Sequence, residues 1–192
     1  MQQQELGVAI HGVGDVAHAH AASWQKLPHV RIVSVTSRHR ESAQRLADRY
    51  QLDCHVGDDF QAVLDRPDVD IVNISGPNHV HAEQGIAAAR AGKHLMMEKP
   101  MCLSVEQNVA LKDAVASAGV KSVVSFVLRW NPLFENLKSL LAKQAVGRLF
   151  YVEVDYWHGI SDWYRGMSWV RKKVTGGSTM LFGGCLLYTS DA

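Results

Sequence analysis

Hydrophobic and polar positions follow two alternating patterns over the first 125 residues. Short apolar runs rich in β-branched residues are typical of buried parallel strands, and the longer segments between them repeat apolar residues at helical spacing. The apolar runs lie at residues 6–10, 30–36, 69–74, 94–98 and 121–128. Five strands that alternate with helices predict an α/β domain with a doubly wound parallel sheet.

The predicted helices carry boundary signals at their ends. The first helix is predicted from Asp15 to Gln25, before Leu27-Pro28. Asp58-Asp59 caps a short helix over residues 60–64, and Gly92 ends a long helix that opens at His79 or Val80. Ser104 and Gln107 have the spacing of a capping box.

The pattern changes near Arg129. Asn131-Pro132 begins a helix that is predicted to reach about Lys143, and residues 149–157 alternate apolar and polar positions, which predicts a strand with one solvated or ligand-facing side. We therefore expect one domain over residues 1–125 and a second, incomplete α+β domain over residues 126–184.

The first strand leads into a glycine turn of the form G-x-G-x-x-A. This motif, between a strand and a helix, brings backbone N–H groups and the positive end of a helix dipole to the pyrophosphate of a dinucleotide. A plain structural turn remains the alternative, because turns also collect glycine. The predicted cofactor contacts here are Gly12, Val13, Gly14, Asp15 and Val16, and Ala17 lets the helix pack close to the strand. Residues 1–125 are therefore expected to form a dinucleotide-binding Rossmann domain.

The end of the second strand bears on the choice of cofactor. An acidic residue that bonds the ribose 2′-hydroxyl of NAD commonly sits there. This chain has Ser37-Arg38-His39-Arg40 instead. A hydroxyl and guanidinium groups suit a 2′-phosphate, so NADP is favoured over NAD. The alternative is a solvated, basic helix start that accepts either cofactor.

Composition excludes several classes of function. The formal net charge is +1 with acids and bases interspersed, which argues against a nucleic-acid or membrane surface. No apolar run has the length of a membrane span, and residues 1–5 do not resemble a signal peptide. The cysteines Cys54, Cys102 and Cys185 lack metal-type pairing, so a reduced, cytoplasmic setting is expected.

Two histidine pairs, His18-x-His20 and His79-x-His81, raise the question of a metal. Both lie on helices or helix starts, where positions i and i+2 point to different faces. No cysteine or carboxylate has the spacing of a partner ligand, so no metal site is expected.

The chain resembles the Gfo/Idh/MocA family of NAD(P)-dependent oxidoreductases. The resemblance covers residues 6 to about 184, and its most specific part is the pair of blocks at residues 91–94 and 98–100. The residues that carry it are Gly12/Gly14/Ala17, Gly76-Pro77-Asn78-His79-x-His81-Ala82-Glu83, Ala91-Gly92-Lys93-His94, Glu98-Lys99-Pro100, Arg129-Trp130-Asn131-Pro132 and Gly176-Gly177. It implies that residues 126–184 are part of a substrate or dimerisation domain with a large open sheet that contacts substrate. It also implies a catalytic His and Asp in a motif just after Gly183-Gly184.

Residues 185–192 depart from that pattern. They contain no histidine, and Leu186-Leu187-Tyr188-Thr189-Ser190 resembles one reading frame of a transposon adapter used in sequencing libraries. We expect a truncated gene with a non-native tail over residues 185–192, so that this fragment lacks the catalytic motif and is inactive. A natural, divergent C-terminus is the alternative.

Lys99 is the candidate catalytic residue. It lies at a strand end before Pro100, and ligands of doubly wound sheets bind beyond the carboxyl ends of the strands. There it can exchange a proton with a substrate hydroxyl during hydride transfer. The alternative is a surface ion pair with Glu98. Lys99 is also a predicted cofactor contact, together with Ser75, Pro77, Asn78, His79 and Glu98 at the strand ends.

The expected activity is hydride transfer between a nicotinamide cofactor and a sugar, inositol or related polyol, by a homo-oligomer when full length. An NAD-dependent glycosidase of the same fold, or a nucleotide-binding regulator without turnover, are the alternatives. Net cofactor consumption during turnover separates the oxidoreductase from the glycosidase, and a regulator binds the cofactor without turnover. Weaker candidates for a substrate pocket are Arg129, Trp157, Tyr164, Arg165, Trp169 and Lys173, since aromatic rings stack on sugars and cations bond hydroxyls.

Overall fold

The computed structural model describes residues 5–155, 167–178 and 181. The chain divides into two compact units, Met1–Val124 and Ser125–Ala192. The first unit contains a six-stranded parallel sheet in the order β3-β2-β1-β4-β5-β6. Its strands are β1 (Leu6–His11), β2 (Val30–Thr36), β3 (His55–Gly57), β4 (Ile71–Ile74), β5 (His94–Met97) and β6 (Ser122–Val124). The prediction of a doubly wound parallel sheet is confirmed.

Helices connect the strands of this sheet. They are α1 (Asp15–Trp24), α2 (Arg40–Arg49), α3 (Phe60–Leu64), α4 (His81–Arg90) and α5 (Val105–Ala118), with a 3₁₀ turn at Asn78–Val80 before α4. The strand order reverses direction between β1 and β4, which are hydrogen-bonded neighbours. This switch point is where an open α/β sheet binds its ligand.

Both faces of the sheet are buried, which is why its strands read as continuous apolar runs. Ala9, Val72 and Met97 belong to one core cluster with residues of α4 and α5. Val8 and Ile10 belong to a second cluster, with residues of α1 and α2. Side chains alternate between the faces along each strand, so consecutive residues of β1 enter different clusters.

Several helix boundaries match their sequence signals. Asp59 accepts a hydrogen bond from the Gln61 amide at the start of α3. Gly92 and Gly119 end α4 and α5 with φ of 75° and 68°. At α5 the Ser104 side chain accepts from the Gln107 amide, but the Gln107 side chain accepts from the Leu103 amide rather than from that of Ser104.

The second unit, in its described residues, contains helices and turns. A 3₁₀ helix (Val127–Trp130) precedes α6 (Pro132–Ala142), which the Asn131 side chain caps by accepting from the Leu133 amide. A further 3₁₀ helix (Ser168–Arg171) precedes α7 (Lys173–Gly176). The described parts contain no helix of the length and apolarity that a membrane crossing requires.

Two strand predictions need correction, and one strand was missed. The short edge strand β3 was not predicted, and β6 covers only three of the residues 121–128. The strand predicted over residues 149–157 is wrong for residues 149–155, which have no strand structure, and its last two residues lie outside the described part. A strand needs a hydrogen-bonded neighbour, and none pairs with these residues in the described part of the second unit.

Candidate dinucleotide-binding and active site

The predicted cofactor residues of the first unit lie at the carboxyl ends of four neighbouring strands. Gly12 to Val16 follow β1, and Ser37 and Arg38 follow β2. The segment Ser75 to His79 follows β4, and Glu98 and Lys99 follow β5. Parallel strands bring these segments to the same edge of the sheet, on both sides of the switch point between β1 and β4.

Gly12 is a glycine because two turns touch at this position. Its φ is 90°, and a Cβ there would lie 2.5 Å from the Gly76 backbone nitrogen. The turn after β1 and the turn after β4 therefore approach each other more closely than any side chain allows.

Gly14 differs from Gly12 both in its backbone conformation and in the space around its Cα. Its φ is −69°, which any residue adopts, and a Cβ there would meet no protein atom within 4 Å. It is the N-cap of α1, where the first backbone N–H groups have no acceptor within the helix. Open space at a helix N-terminus fits a pyrophosphate, which needs close approach to the backbone.

The residues around Gly14 support this opening. Ala17 is fully buried, which lets α1 pack close to the sheet. Val13 packs against the core cluster that contains Val8 and Ile10, whereas Asp15 and Val16 are exposed at the start of the helix.

A buried chain of polar side chains holds the glycine turn. The Trp24 indole donates to Asn73 Oδ1 (2.9 Å), and Asn73 Nδ2 donates to Ser75 Oγ (3.2 Å). The Ser75 hydroxyl donates to the Gly12 carbonyl (3.0 Å), so this predicted cofactor residue uses its side chain to support the turn. Asn73 has no exposed surface and was missed, although a polar residue inside the apolar run of β4 was a visible signal.

His11, the last residue of β1, is a second residue that the sequence analysis missed. Gln84 Nε2 donates to its Nε2 (3.0 Å), which leaves Nδ1 as the N–H that donates to Thr36 Oγ1 (2.8 Å). Burial lowers the pKa of His11 from its ordinary 6.5 to about 4. A neutral ring is therefore placed directly before the glycine turn.

The turn after β2 carries the predicted 2′-phosphate site. The Ser37 amide donates to the Gly57 carbonyl (3.2 Å), which ties this turn to β3. Ser37 is half-buried, Arg38 is exposed, and α2 begins two residues later at Arg40. A guanidinium close to a helix N-terminus favours an anionic group there.

The candidate catalytic residue Lys99 lies in the turn after β5, and the turn after β4 is at the neighbouring strand end. Asn78 is buried and His79 is exposed, both in the 3₁₀ turn that follows the half-buried Pro77. Glu98 is buried; its Oε1 lies 2.9 Å from His20 Nε2, and its Oε2 accepts from the Lys99 amide at 3.1 Å. Lys99 is half-buried and is joined to Pro100 by a cis peptide bond.

The predicted substrate residues belong to the second unit. Arg129 and Trp169 are half-buried in 3₁₀ helices, and Lys173 is exposed at the start of α7. Trp157, Tyr164 and Arg165 lie outside the described residues, as does the tail over residues 185–192. Among the residues that the structure describes, no three His, Cys, Asp or Glu side chains are grouped as metal ligands.

This architecture, with a glycine turn at the switch point of a parallel sheet, defines a dinucleotide-binding Rossmann domain. Residues 6–126 match the model of the Gfo/Idh/MocA oxidoreductase family, described as having an NAD-binding Rossmann fold. The chain belongs to this family, as the sequence resemblance predicted.

Characterised relatives share this part of the chain. Levoglucosan dehydrogenase of Pseudarthrobacter phenanthrenivorans is 31% identical over 93% of this chain and 48% of its own length. The scyllo-inositol 2-dehydrogenase (NAD(+)) of Bacillus subtilis is 27% identical over 78% of this chain and 44% of its own. The chain thus spans about half the length of the curated relatives it matches.

Solved structures include complexes with both nicotinamide cofactors. Levoglucosan dehydrogenase in complex with NADH and L-sorbose has a TM-score of 0.71 and 31% identity, covering 76% of this chain and 41% of that one. A variant of a 3-ketoreductase from Actinomadura kijaniata, in complex with TDP-benzene and NADP, has a TM-score of 0.70 and 25% identity. The aligned part covers 76% of this chain and 46% of the ketoreductase chain.

Proposed function

We propose that the protein is an NAD(P)-dependent oxidoreductase that transfers a hydride between the nicotinamide ring and a sugar, an inositol or a related polyol. The observation that carries the proposal is the open space at Gly14, beside the contact of Gly12 with Gly76. That opening has the position and the backbone donors that a pyrophosphate needs. The substrate class rests on the relatives named above, whose names give levoglucosan and scyllo-inositol.

The cofactor is proposed to lie along the four strand ends. Backbone groups from Gly12 to Val16 hold the pyrophosphate, and Ser37 and Arg38 hold the ribose of the adenosine half. The nicotinamide half lies toward Ser75, Pro77, Asn78, His79 and Glu98. The turn after β2 presents a hydroxyl and a guanidinium and no carboxylate, which supports NADP over NAD.

Lys99 is proposed as the residue that exchanges the proton. Hydride transfer to or from a carbinol carbon requires a proton to leave or join its oxygen, and the cofactor supplies the hydride chemistry. The Lys99 ammonium can donate that proton and its amine can accept it. Its segment is fixed at the end of β5 by the bond between its amide and Glu98.

The test is turnover of the full-length enzyme on a panel of polyols. Net change in the absorbance of the reduced nicotinamide, equal to product formed, supports an oxidoreductase. Turnover without net change indicates a glycosidase, and cofactor binding without turnover indicates a regulator.

We expect Lys99→Ala to keep cofactor affinity and to lower kcat by about 100-fold or more; unchanged turnover would assign Lys99 a structural role.

A further inference from the structure

Two histidines on different helices are hydrogen-bonded around the Lys99 segment. His20, on α1, is almost fully buried, and its Nε2 lies 2.9 Å from Glu98 Oε1. The other oxygen of Glu98 accepts from the Lys99 amide. The helix that begins at the glycine turn is therefore connected to the backbone of Lys99 through a single carboxylate.

His81, the first residue of α4, acts on the other side of Lys99. It is 1% exposed; its Nδ1 lies 2.8 Å from the Pro100 carbonyl oxygen and its Nε2 lies 2.8 Å from the Gly76 carbonyl oxygen. Both neighbours are acceptors, so the ring nitrogen that carries the N–H donates to the carbonyl oxygen it faces. The ring spans the turn after β4 and the turn after β5.

We propose that His20 and His81 are positioning residues for Lys99, an inference that rests on the proposed function. His20 fixes the residue before Lys99 through Glu98, and His81 fixes the residue after it through Pro100. The two anchors come from helices that begin at different strand ends. A side chain that exchanges a proton has to stay within about 0.5 Å of its productive position. Anchors on rigid helices achieve this better than a loop alone.

Packing alone does not account for these two residues. An apolar ring of similar size fills the same volume, but it removes the ring nitrogens that face Glu98 Oε1 and the Gly76 and Pro100 carbonyls, while Glu98 Oε2 keeps the Lys99 amide. Buried acceptors that lose a donor destabilise their local arrangement. The same bonds engage both histidines that the two His-x-His pairs place inside the protein.

The experiment compares His81→Phe and His20→Phe with the wild-type chain, with His29→Gln as the matched control at an exposed histidine. The first readout is the NMR signal of Lys99 after ¹³C-methylation of the lysines, assigned by its loss in Lys99→Arg. The second is the affinity for NADPH and for adenosine 2′,5′-diphosphate, which lacks the nicotinamide half.

We expect the wild-type Lys99 signal to stand apart from those of exposed lysines and to move toward them in both Phe variants. The affinities for NADPH and for adenosine 2′,5′-diphosphate are both expected to stay within about twofold of wild type, as NADPH affinity does in Lys99→Ala. His81→Gln, which keeps one donor, is expected to move the Lys99 signal by a smaller amount. The control variant is expected to match wild type in both readouts.

An unchanged Lys99 signal in folded Phe variants would overturn the proposal, as would equal weakening of both ligands, because either result shows a merely structural role. If His81→Phe does not fold, His81→Gln decides by the same readouts. If the wild-type chain binds neither ligand, the proposed function fails, while the Lys99 signal still tests the positioning by itself.

Discussion

Gly12 and Gly14 are glycines for different physical reasons, and alanine separates them. Gly12→Ala places a Cβ against the Gly76 backbone at a φ of 90°, so we expect the free energy of unfolding to fall by about 2 kcal/mol or more. Gly14→Ala meets open space, so stability stays within about 1 kcal/mol of wild type. Urea denaturation measures both.

Cofactor titration completes the comparison. The Cβ of Gly14→Ala stands where the pyrophosphate is proposed to approach, so NADPH affinity is expected to fall at least about tenfold in a protein of normal stability. Normal affinity in that variant would remove the pyrophosphate from this helix N-terminus.

His11 is expected to make stability depend on pH. Its pKa is about 4 in the folded protein and 6.5 ordinarily, so between these values the unfolded chain binds a proton that the folded chain does not. The contribution of neutral His11 to the free energy of unfolding is therefore complete above pH 6.5 and is lost as the pH falls toward 4. The loss is on the order of 3 kcal/mol at most.

The non-titrating variant His11→Gln isolates this effect. Its denaturation midpoints are expected to change less between pH 7 and 5 than those of wild type, whereas His29→Gln keeps the wild-type slope. Identical slopes in wild type and His11→Gln would mean that the buried ring does not control this pH range.

Arg38 tests the preference for NADP. Arg38→Asp replaces the guanidinium that is proposed to bond the 2′-phosphate with a repelling carboxylate, so NADPH affinity is expected to fall about tenfold or more and NADH affinity much less. Calorimetry on the chain measures both, with Arg45→Asp on the exposed side of α2 as the control of equal charge. Equal losses for the two cofactors would refute the role given to Arg38.

At the scale of elements, the Trp24–Asn73–Ser75 chain joins α1, β4 and the glycine turn. Asn73→Leu keeps the volume but leaves the Trp24 N–H and the Ser75 hydroxyl without this partner, so the free energy of unfolding is expected to fall by about 2 kcal/mol. Trp24→Phe added to Asn73→Leu is expected to cost less than it does alone, with a coupling of about 1 kcal/mol.

Urea denaturation of the four species measures the coupling between Asn73 and Trp24. Asn108→Leu, at an exposed position of α5, is the control and is expected to change little. Additive losses in the two variants would show that the indole and the amide act independently.

The elements that the sequence predicted well are those whose signals are local. Apolar runs buried on both faces gave β1 and β2, and the Asp59 and Gly92 signals gave helix ends. β3 has three residues at a sheet edge, too few for a period to be read. The alternation at residues 149–155 failed because a strand also depends on partners elsewhere in the chain.

The candidate site divides in the same way. Motif glycines and strand ends predicted where ligand contacts lie, because topology brings parallel strand ends together. The bonds of His11 to Thr36 and Gln84, of Asn73 to Trp24 and of His81 to Pro100 join residues 19 to 73 positions apart, so no local pattern encodes them. Only the polar identity of buried positions signalled that partners had to exist.

At the scale of the whole molecule, the described residues of the two units differ in how much apolar surface they bury. Both core clusters consist of residues of the first unit. In the described part of the second unit, large apolar side chains are exposed, among them Leu133 at 70%, Phe150 at 85% and Val174 at 84%. Apolar surface of this kind is covered by further protein in stable domains or promotes association.

Limited proteolysis tests this difference. We expect the 192-residue chain to be trimmed to a resistant core that ends between residues 125 and 137, because the first unit has a complete sheet and the segment after it exposes its apolar residues. The core is expected to bind NADPH as the whole chain does, and neither is expected to oxidise polyols. Mass spectrometry of the products and a binding titration provide the measurement. A resistant product that keeps residues beyond Tyr151, or turnover by the chain, would contradict the prediction and place a second stable core in residues 125–192.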